Sequence, residues 1–365
     1  MGAVLHVASR KGLLQFGNRG PGWSLDRESF LGDPVTAVLA DGRDGTLYAA
    51  LRHGHFGAKL HRSDDGGRRW TELPAPAFPP AESSDHQAPA VDMVWTLAAG
   101  TADEPGVLWA GTLPAALFRS DDRGASWSLV ESLWAVPERA QWFGGGYDLP
   151  GLHSIHADPR DGRRLTVGIS CGGVWTSVDG GAGWTLGGHG LRAAYMPPDS
   201  ADDRAVQDPH RLAHCAAAPD TVWCQHHNGI FRSEDGGHHF TELAEVPPSA
   251  FGFAVAAHPR DPATAWFVPA VKDECRVPVG GRLVVTRTID GGRSFEPLGN
   301  GLPDTGCYDL VYRHALDVDA AGQRLALGST TGNLWVGEEG GEQWVPVSTH
   351  LPPIAQVAFA PAAFG

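Results

Sequence analysis

Long apolar runs are missing from this sequence. No stretch approaches the ~20 residues that a membrane-spanning helix requires. The N-terminal segment MGAVLHVASRKG carries a short apolar patch without the hydrophobic region of a signal peptide. Clusters of Lys and Arg are missing as well. Basic residues number 28 against 42 acidic ones, for a net charge of −14. That balance lacks the basic field by which a protein holds nucleic acid or an acidic membrane surface, so neither is an expected partner. Cysteine is sparse: Cys171, Cys215, Cys224, Cys275 and Cys307 are scattered, odd in number and never in CxxC spacing. The simplest expectation is reduced thiols in a cytoplasmic protein. No HExxH motif is present to mark a metal site.

Glycine (48) and proline (28) are abundant and spread along the whole chain, beside 42% apolar residues. That combination suits many short strands joined by turns around a sizeable core. One pattern recurs, S/T-x-D-x-G-x-x-W/F: SDDGGRRW from Ser63, SDDRGASW from Ser120, SVDGGAGW from Ser177, SEDGGHHF from Ser233 and TIDGGRSF from Thr288. Weaker copies are GEEGGEQW from Gly337 and FGNRGPGW from Phe16. Their third positions, Asn18, Asp65, Asp122, Asp179, Asp235, Asp290 and Glu339, lie 47 to 57 residues apart. Each position has a physical task. The Asp carboxylate accepts backbone N–H bonds across a tight turn, and the Ser or Thr hydroxyl supports it. Glycine permits positive φ. The aromatic opens the next strand and packs back between sheets.

Strand-like segments flank every copy, giving four strands per unit. Repeated radially, such units form a β-propeller. Seven copies predict an all-β, seven-bladed propeller of four-stranded antiparallel blades, a single domain over 1–365. Six blades is the alternative, because the first and last copies are degenerate. After the last copy, IAQVAFAPA reads as another first strand, while the N-terminal unit lacks one. The C-terminal strand is therefore expected to complete the N-terminal blade and close the ring, leaving no long exposed edge.

The repeated motif resembles that of the Asp-box (BNR-repeat) propellers of the sialidase-like superfamily. The resemblance implies that the Asp turn is structural and lies on one rim. It also implies that ligands sit on the opposite rim, formed by the loops between strands 2 and 3 and between blades. Sialidases of that superfamily use an arginine triad, a Tyr–Glu nucleophile, an Asp acid/base and an F/Y-R-I-P motif near the N-terminus. Here VASRKGLLQF contains Arg10 and no such motif, and the mouth arginines Arg10, Arg211 and Arg276 lack a defining context.

On this layout His238 and His239 fall on the Asp-turn rim as solvated residues, whereas several other histidines fall at the mouth. Imidazoles converging from neighbouring strands are a common way to hold Zn, Mn, Fe or Ni. His153, His210 and His227, from adjacent blades, are the candidate ligands of a divalent transition metal, with His226 able to replace His227. Glu274 or Asp148 is the candidate general base. His55, His86, Tyr147, Arg211 and Arg276 are candidate substrate contacts. Cys171 reads as a small buried residue, and Trp134, Trp142 and Tyr195 as apolar walls. The long interblade loops could wall a pocket. The leading expectation is a metal-assisted enzyme, of hydrolase, lyase or isomerase type, acting on a small polar molecule. A sialidase-like hydrolase acting on a glycan and a non-catalytic scaffold with a protein partner are the alternatives.

Overall fold

The turn that punctuates the sequence also builds the molecule, as a computed structural model of residues 2–20, 22–80 and 89–361 makes plain. At the second copy, the Ser63 hydroxyl donates to Asp65 Oδ1 (2.9 Å) and accepts the Gly67 N–H (2.9 Å), while Asp65 Oδ1 accepts the N–H groups of Arg68 and Arg69. The same lattice recurs around Asp122, Asp179, Asp235 and Asp290. Gly66 and Gly67 have φ of +70° and +84°, which is why glycine stands there. The aromatic that follows reaches back to the preceding unit: Trp70 Nε1 donates to Ser29 Oγ (3.0 Å) and Trp184 Nε1 to Ser132 Oγ (3.2 Å).

The buried serine of this turn has a measurable role. Ser120→Ala strands the Gly124 N–H, which is buried with the hydroxyl that it donates to. The expected cost is about 1–3 kcal/mol, read from urea unfolding. Acid is expected to act on the carboxylates of the same turns. Burial pushes Asp235 up, but bonds from the His239 backbone and ring and from Ser233 outweigh it and bring it down to about 2. The hydroxyl and N–H of Ser294 bring Asp290 to about 2 as well. Both folded values lie below the ordinary 3.8. Their contribution is therefore complete above about pH 4 and is lost as pH falls through about 2. The melting temperature should hold from pH 7 to pH 5 and drop between pH 4 and pH 2, less steeply in Asp290→Asn.

Seven four-stranded antiparallel sheets result. In chain order the blades begin at inner strands Val35–Asp41, Met93–Ala99, Leu152–Asp158, Pro209–Cys215, Gly252–Ala257 and Leu316–Val318, with the N-terminal blade before them. That first blade consists of Val4–Ser9, Gly12–Asn18 and Trp23–Ser29, and its innermost strand is the C-terminal segment Ile354–Phe359. The closing strand lies between the inner strands of the seventh and second blades, so seven blades complete the ring. Among the described residues the one α-helix is the short Glu131–Trp134, and no helix is long and apolar enough to cross a membrane.

Each blade is covered on both faces by its neighbours, so its middle strands are apolar throughout. Thr46–Arg52, Leu108–Leu113 and Ala265–Pro269 are buried almost end to end. Trp109, Trp223 and Trp266 are fully buried at equivalent places in second strands, each opposite an arginine of the third strand (Arg119, Arg232, Arg287). The first two of these arginines lie over their indoles at 5.2 and 5.3 Å.

Candidate functional site

Along the fifth blade, Asp208 stands immediately before Pro209, the first residue of the inner strand. Proline confines the residue before it to extended conformations, which aims Asp208 along the channel mouth. The hairpin between Ala218–His226 and Gly229–Ser233 is two residues long, His227 and Asn228. It places His226 as the last residue of its strand and His227 in the turn. The pair therefore separates: His226 is fully buried, whereas His227 reaches the mouth.

Three side chains converge there. Asp208 Oδ2 lies 3.3 Å from His210 Nε2 and 3.5 Å from His227 Nδ1. One ligand atom from each of the three falls within 4.8 Å of the others. Ligands at about 2.1 Å around a tetrahedral ion are separated by about 3.4 Å, so the two contacts have the right span. Asp208 is fixed from behind: its Oδ1 accepts Ser170 Oγ–H (2.9 Å) and the Cys171 N–H (3.2 Å). Burial pushes its carboxyl upward, but His210, His227 and Arg313 outweigh that and keep it ionised, well below the ordinary value.

The orientation of His210 is set by its other nitrogen. Nδ1 lies 2.7 Å from the Gly252 carbonyl, which can only accept, so Nδ1 carries the proton. Burial lowers the pKa of this imidazole despite the opposing pull of Asp208. Nε2 is then the ring atom that faces the carboxylate oxygen, 3.3 Å away. A proton or a metal ion between them joins two such atoms. A backbone carbonyl behind a ligating imidazole is the usual outer-shell arrangement. The ring also stacks on Phe253 (4.4 Å, 14°). An N,N,O donor set suits zinc, manganese, iron or nickel.

The cleft over these residues measures about 290 Å³ and is lined by Phe143, the Gly144–Gly146 loop, Cys171, Tyr195, Phe253, Asp273, Glu274, Arg276 and Arg313. Cys171 has φ +50° and is buried, and burial pushes its thiol far upward beside Asp208. It is a neutral thiol whose backbone N–H orients the carboxylate. Tyr195 donates to the Val206 carbonyl (2.9 Å), and burial raises its phenol too. At the rim, Glu274 pairs with Lys272 (3.5 Å), while Arg276 pairs with Asp273 (2.5 Å). A second cavity of about 250 Å³ adjoins the cleft, sharing Gly146, Arg276 and Arg313 with it.

Several residues expected at the site stand elsewhere. His153 is buried beneath it with both ring nitrogens engaged, Nδ1 at Ser154 Oγ (2.9 Å) and Nε2 at the Pro209 carbonyl (2.8 Å). His226 faces the N–H groups of Asp208 (3.2 Å) and Asn228 (3.1 Å) and supports the turn from inside. Arg211 donates to the His153 carbonyl (2.9 Å) in the channel wall, where burial lowers its pKa to about 10. His55 is exposed in the second blade's 2–3 loop, against Phe56. Asp148 is exposed and lines neither cavity. Tyr147 lines the second cavity, edge-on to Trp95 at 5.3 Å. His86 lies outside the described residues. His239 is on the opposite rim, paired with Asp235 at 2.7 Å and stacked on His189.

Sequence reasoning passed over Asp208 as a ligand and Arg313 altogether. Both sit immediately upstream of an inner strand, in DPHRLAH and VYRHALDV. The signal was that parallel: a charged residue beside a histidine at the mouth end of a first strand.

Among known proteins, no family model and no curated sequence matches the chain. Solved structures do. A GH74 xyloglucanase from Xanthomonas campestris superposes with a TM-score of 0.66 at 18% identity, over 94% of this chain and 52% of the xyloglucanase. The chain thus spans about half of that enzyme's length. YCF48 bound to D1 peptide matches with a TM-score of 0.52 at 14% identity, over 86% of this chain and 82% of that one. A functionally unknown protein from Desulfotomaculum acetoxidans matches with a TM-score of 0.58 at 10% identity, over 98% and 99%. At these identities the likeness is one of fold: a seven-bladed β-propeller whose structural neighbours include GH74 enzymes.

Proposed function

We propose that this chain is a metal-dependent enzyme, of hydrolase, lyase or isomerase type, that acts on a small polar substrate at the channel mouth. The observation that carries the reading is the convergence of Asp208, His210 and His227, with His210 Nε2 turned toward the carboxylate by the Gly252 carbonyl behind the ring. A divalent ion held by Asp208, His210 and His227 would supply Lewis acidity to a substrate oxygen. The remaining roles belong to the chain. Ser170 and the Cys171 N–H hold Asp208 in place, and the Gly252 carbonyl holds His210. Phe143, Tyr195 and Phe253 wall the cleft against water. Glu274 stands at its rim, where its own backbone N–H and then Lys272 lower its pKa; it is the carboxylate of the cleft placed to accept a proton from the substrate.

The test is metal analysis of the purified chain after incubation with zinc, manganese, iron or nickel. One of these should be retained at about one equivalent, and a chain that retains none of them loses this reading.

Glycoside hydrolysis is the second reading. The GH74 neighbour supports it, as does the presence of Asp208 and the pair Asp273 and Glu274 in one cleft. Turnover of a sialoside or a xyloglucan oligosaccharide by metal-stripped protein would favour it. A protein partner is the third reading, supported by the peptide-bound neighbour. Membership among the Asp-box propellers is supported by the serine–aspartate turn lattice. All five cysteines are free thiols, which supports a reducing compartment such as the cytoplasm.

A further inference from the structure

Arg313 is the one guanidinium lining the two cavities that has neither an ion-pair partner nor a hydrogen bond among the described residues. It is only 6% exposed, and its Nε is buried without an acceptor. Trp95 and Phe253 lie 4.9 and 5.6 Å from its central carbon, so aromatic rings pack around the guanidinium. Its amino ends lie beside Gly146, where even an added Cβ would be 3.9 Å from Nη2. The edge of the fork therefore opens toward the glycine loop that borders both cavities.

Asp208 attracts it through space but makes neither an ion pair nor a hydrogen bond with it. Asp208 is engaged by Ser170, Cys171, His210 and His227; Asp273 by Arg276; Glu274 by Lys272. The second cavity is lined by Arg313 and Arg276 with the phenols of Tyr147 and Tyr312, and by no carboxylate among the described residues. Arg276 approaches from the sixth blade, 5.2 Å from the same Phe253 ring. Two like charges on one wall, one of them buried without an ion pair or hydrogen bond, are costly unless an anion joins them. A planar fork with its edge free is suited to an oxyanion.

We infer that the second cavity is an oxyanion subsite. In it, Arg313 and Arg276 seat a carboxylate or phosphate group of the substrate and so place the atoms beyond it over Asp208, His210 and His227. The inference rests on the reading of the adjoining cleft as an active site and narrows its substrate to small anionic molecules.

Calorimetric titration of the full chain with acetate and, separately, with inorganic phosphate tests it. Wild type should bind at least one of them saturably, and the tighter of the two identifies the group. Arg313→Met should bind roughly ten- to a hundredfold more weakly. Added anion should raise the melting temperature of wild type and not that of the variant, whereas a merely structural arginine would leave the same rise in both. Arg276→Gln, at a half-exposed position, should bind roughly tenfold more weakly and keeps the test decisive should Arg313→Met fail to fold. No saturable heat with either anion, or wild-type affinity in the folded variants, overturns the inference. The metal reading is tested apart from it. Asp208→Asn should lose metal yet bind the anion at least as tightly, and a wild-type chain that takes up metal but neither anion would refute the subsite alone.

Discussion

Replacing Asp208 with asparagine is expected to lower the affinity for the metal at least a hundredfold. Loss of an outer-shell partner alone costs about ten- to a hundredfold, and Asp208 is the charged member of the donor set. Asparagine keeps the shape and leaves its carbonyl oxygen to accept from Ser170 and the Cys171 N–H, so the turn should persist. What is lost is the negative charge between two imidazoles. Competition against a chelator measures the effect. His153→Gln provides the contrast. Its ring bonds the Pro209 carbonyl and Ser154 and offers no atom to the cluster, so metal affinity should stay within about tenfold while the melting temperature falls. Equal losses in both variants would mean that the cluster is not the binding site.

Deleting residues 353–365 should abolish cooperative folding. The strand Ile354–Phe359 buries Ile354 and Val357, worth about 3–6 kcal/mol together, and pairs along Val4–Ser9. It also joins its neighbours across the ring. The Gln356 amide exchanges two bonds with Val38 (2.9 and 3.0 Å), the Val357 N–H donates to the His314 carbonyl (3.0 Å), and the Phe359 N–H donates to Asp317 (2.7 Å). Hydrogen bonds add about 1 kcal/mol each. The sum is comparable to the whole stability of a typical domain, about 5–15 kcal/mol. The truncated chain should aggregate through the bared Val4–Ser9 edge and show a broad thermal transition. A sharp melt at the full-length temperature would mean that the ring does not need its closing strand.

The blades and the ring closure were legible in the sequence because the Asp turn is a local device: serine, aspartate and glycine act within a few residues, so the text alone carries the geometry. Strand counting assigned residues to the two rims, and the expectation that ligands sit on one of them came from the resemblance to the Asp-box propellers. The division of labour among the histidines was not legible. His226 and His227 are adjacent in the sequence, yet one ends a strand and the other occupies a two-residue turn, so they point into different surroundings. His153 carries the same side chain as His210 at a similar place on the next blade, but the Pro209 carbonyl claims one and the Gly252 carbonyl orients the other. Arg313 was invisible for a different reason. What marks it is the want of a partner, and that is a property of everything packed around it.

The last strand of the ring to be translated is the first strand of its first blade. Until it emerges from the ribosome, Val4–Ser9 is the open edge of a three-stranded sheet while six blades are made after it. The channel wall, including Asp317 and the His314 carbonyl that receive the late arrival, reaches its final shape only after synthesis has passed residue 359. Anything that stalls translation before that strand, or occupies that edge early, would leave an open ring with an unfinished wall.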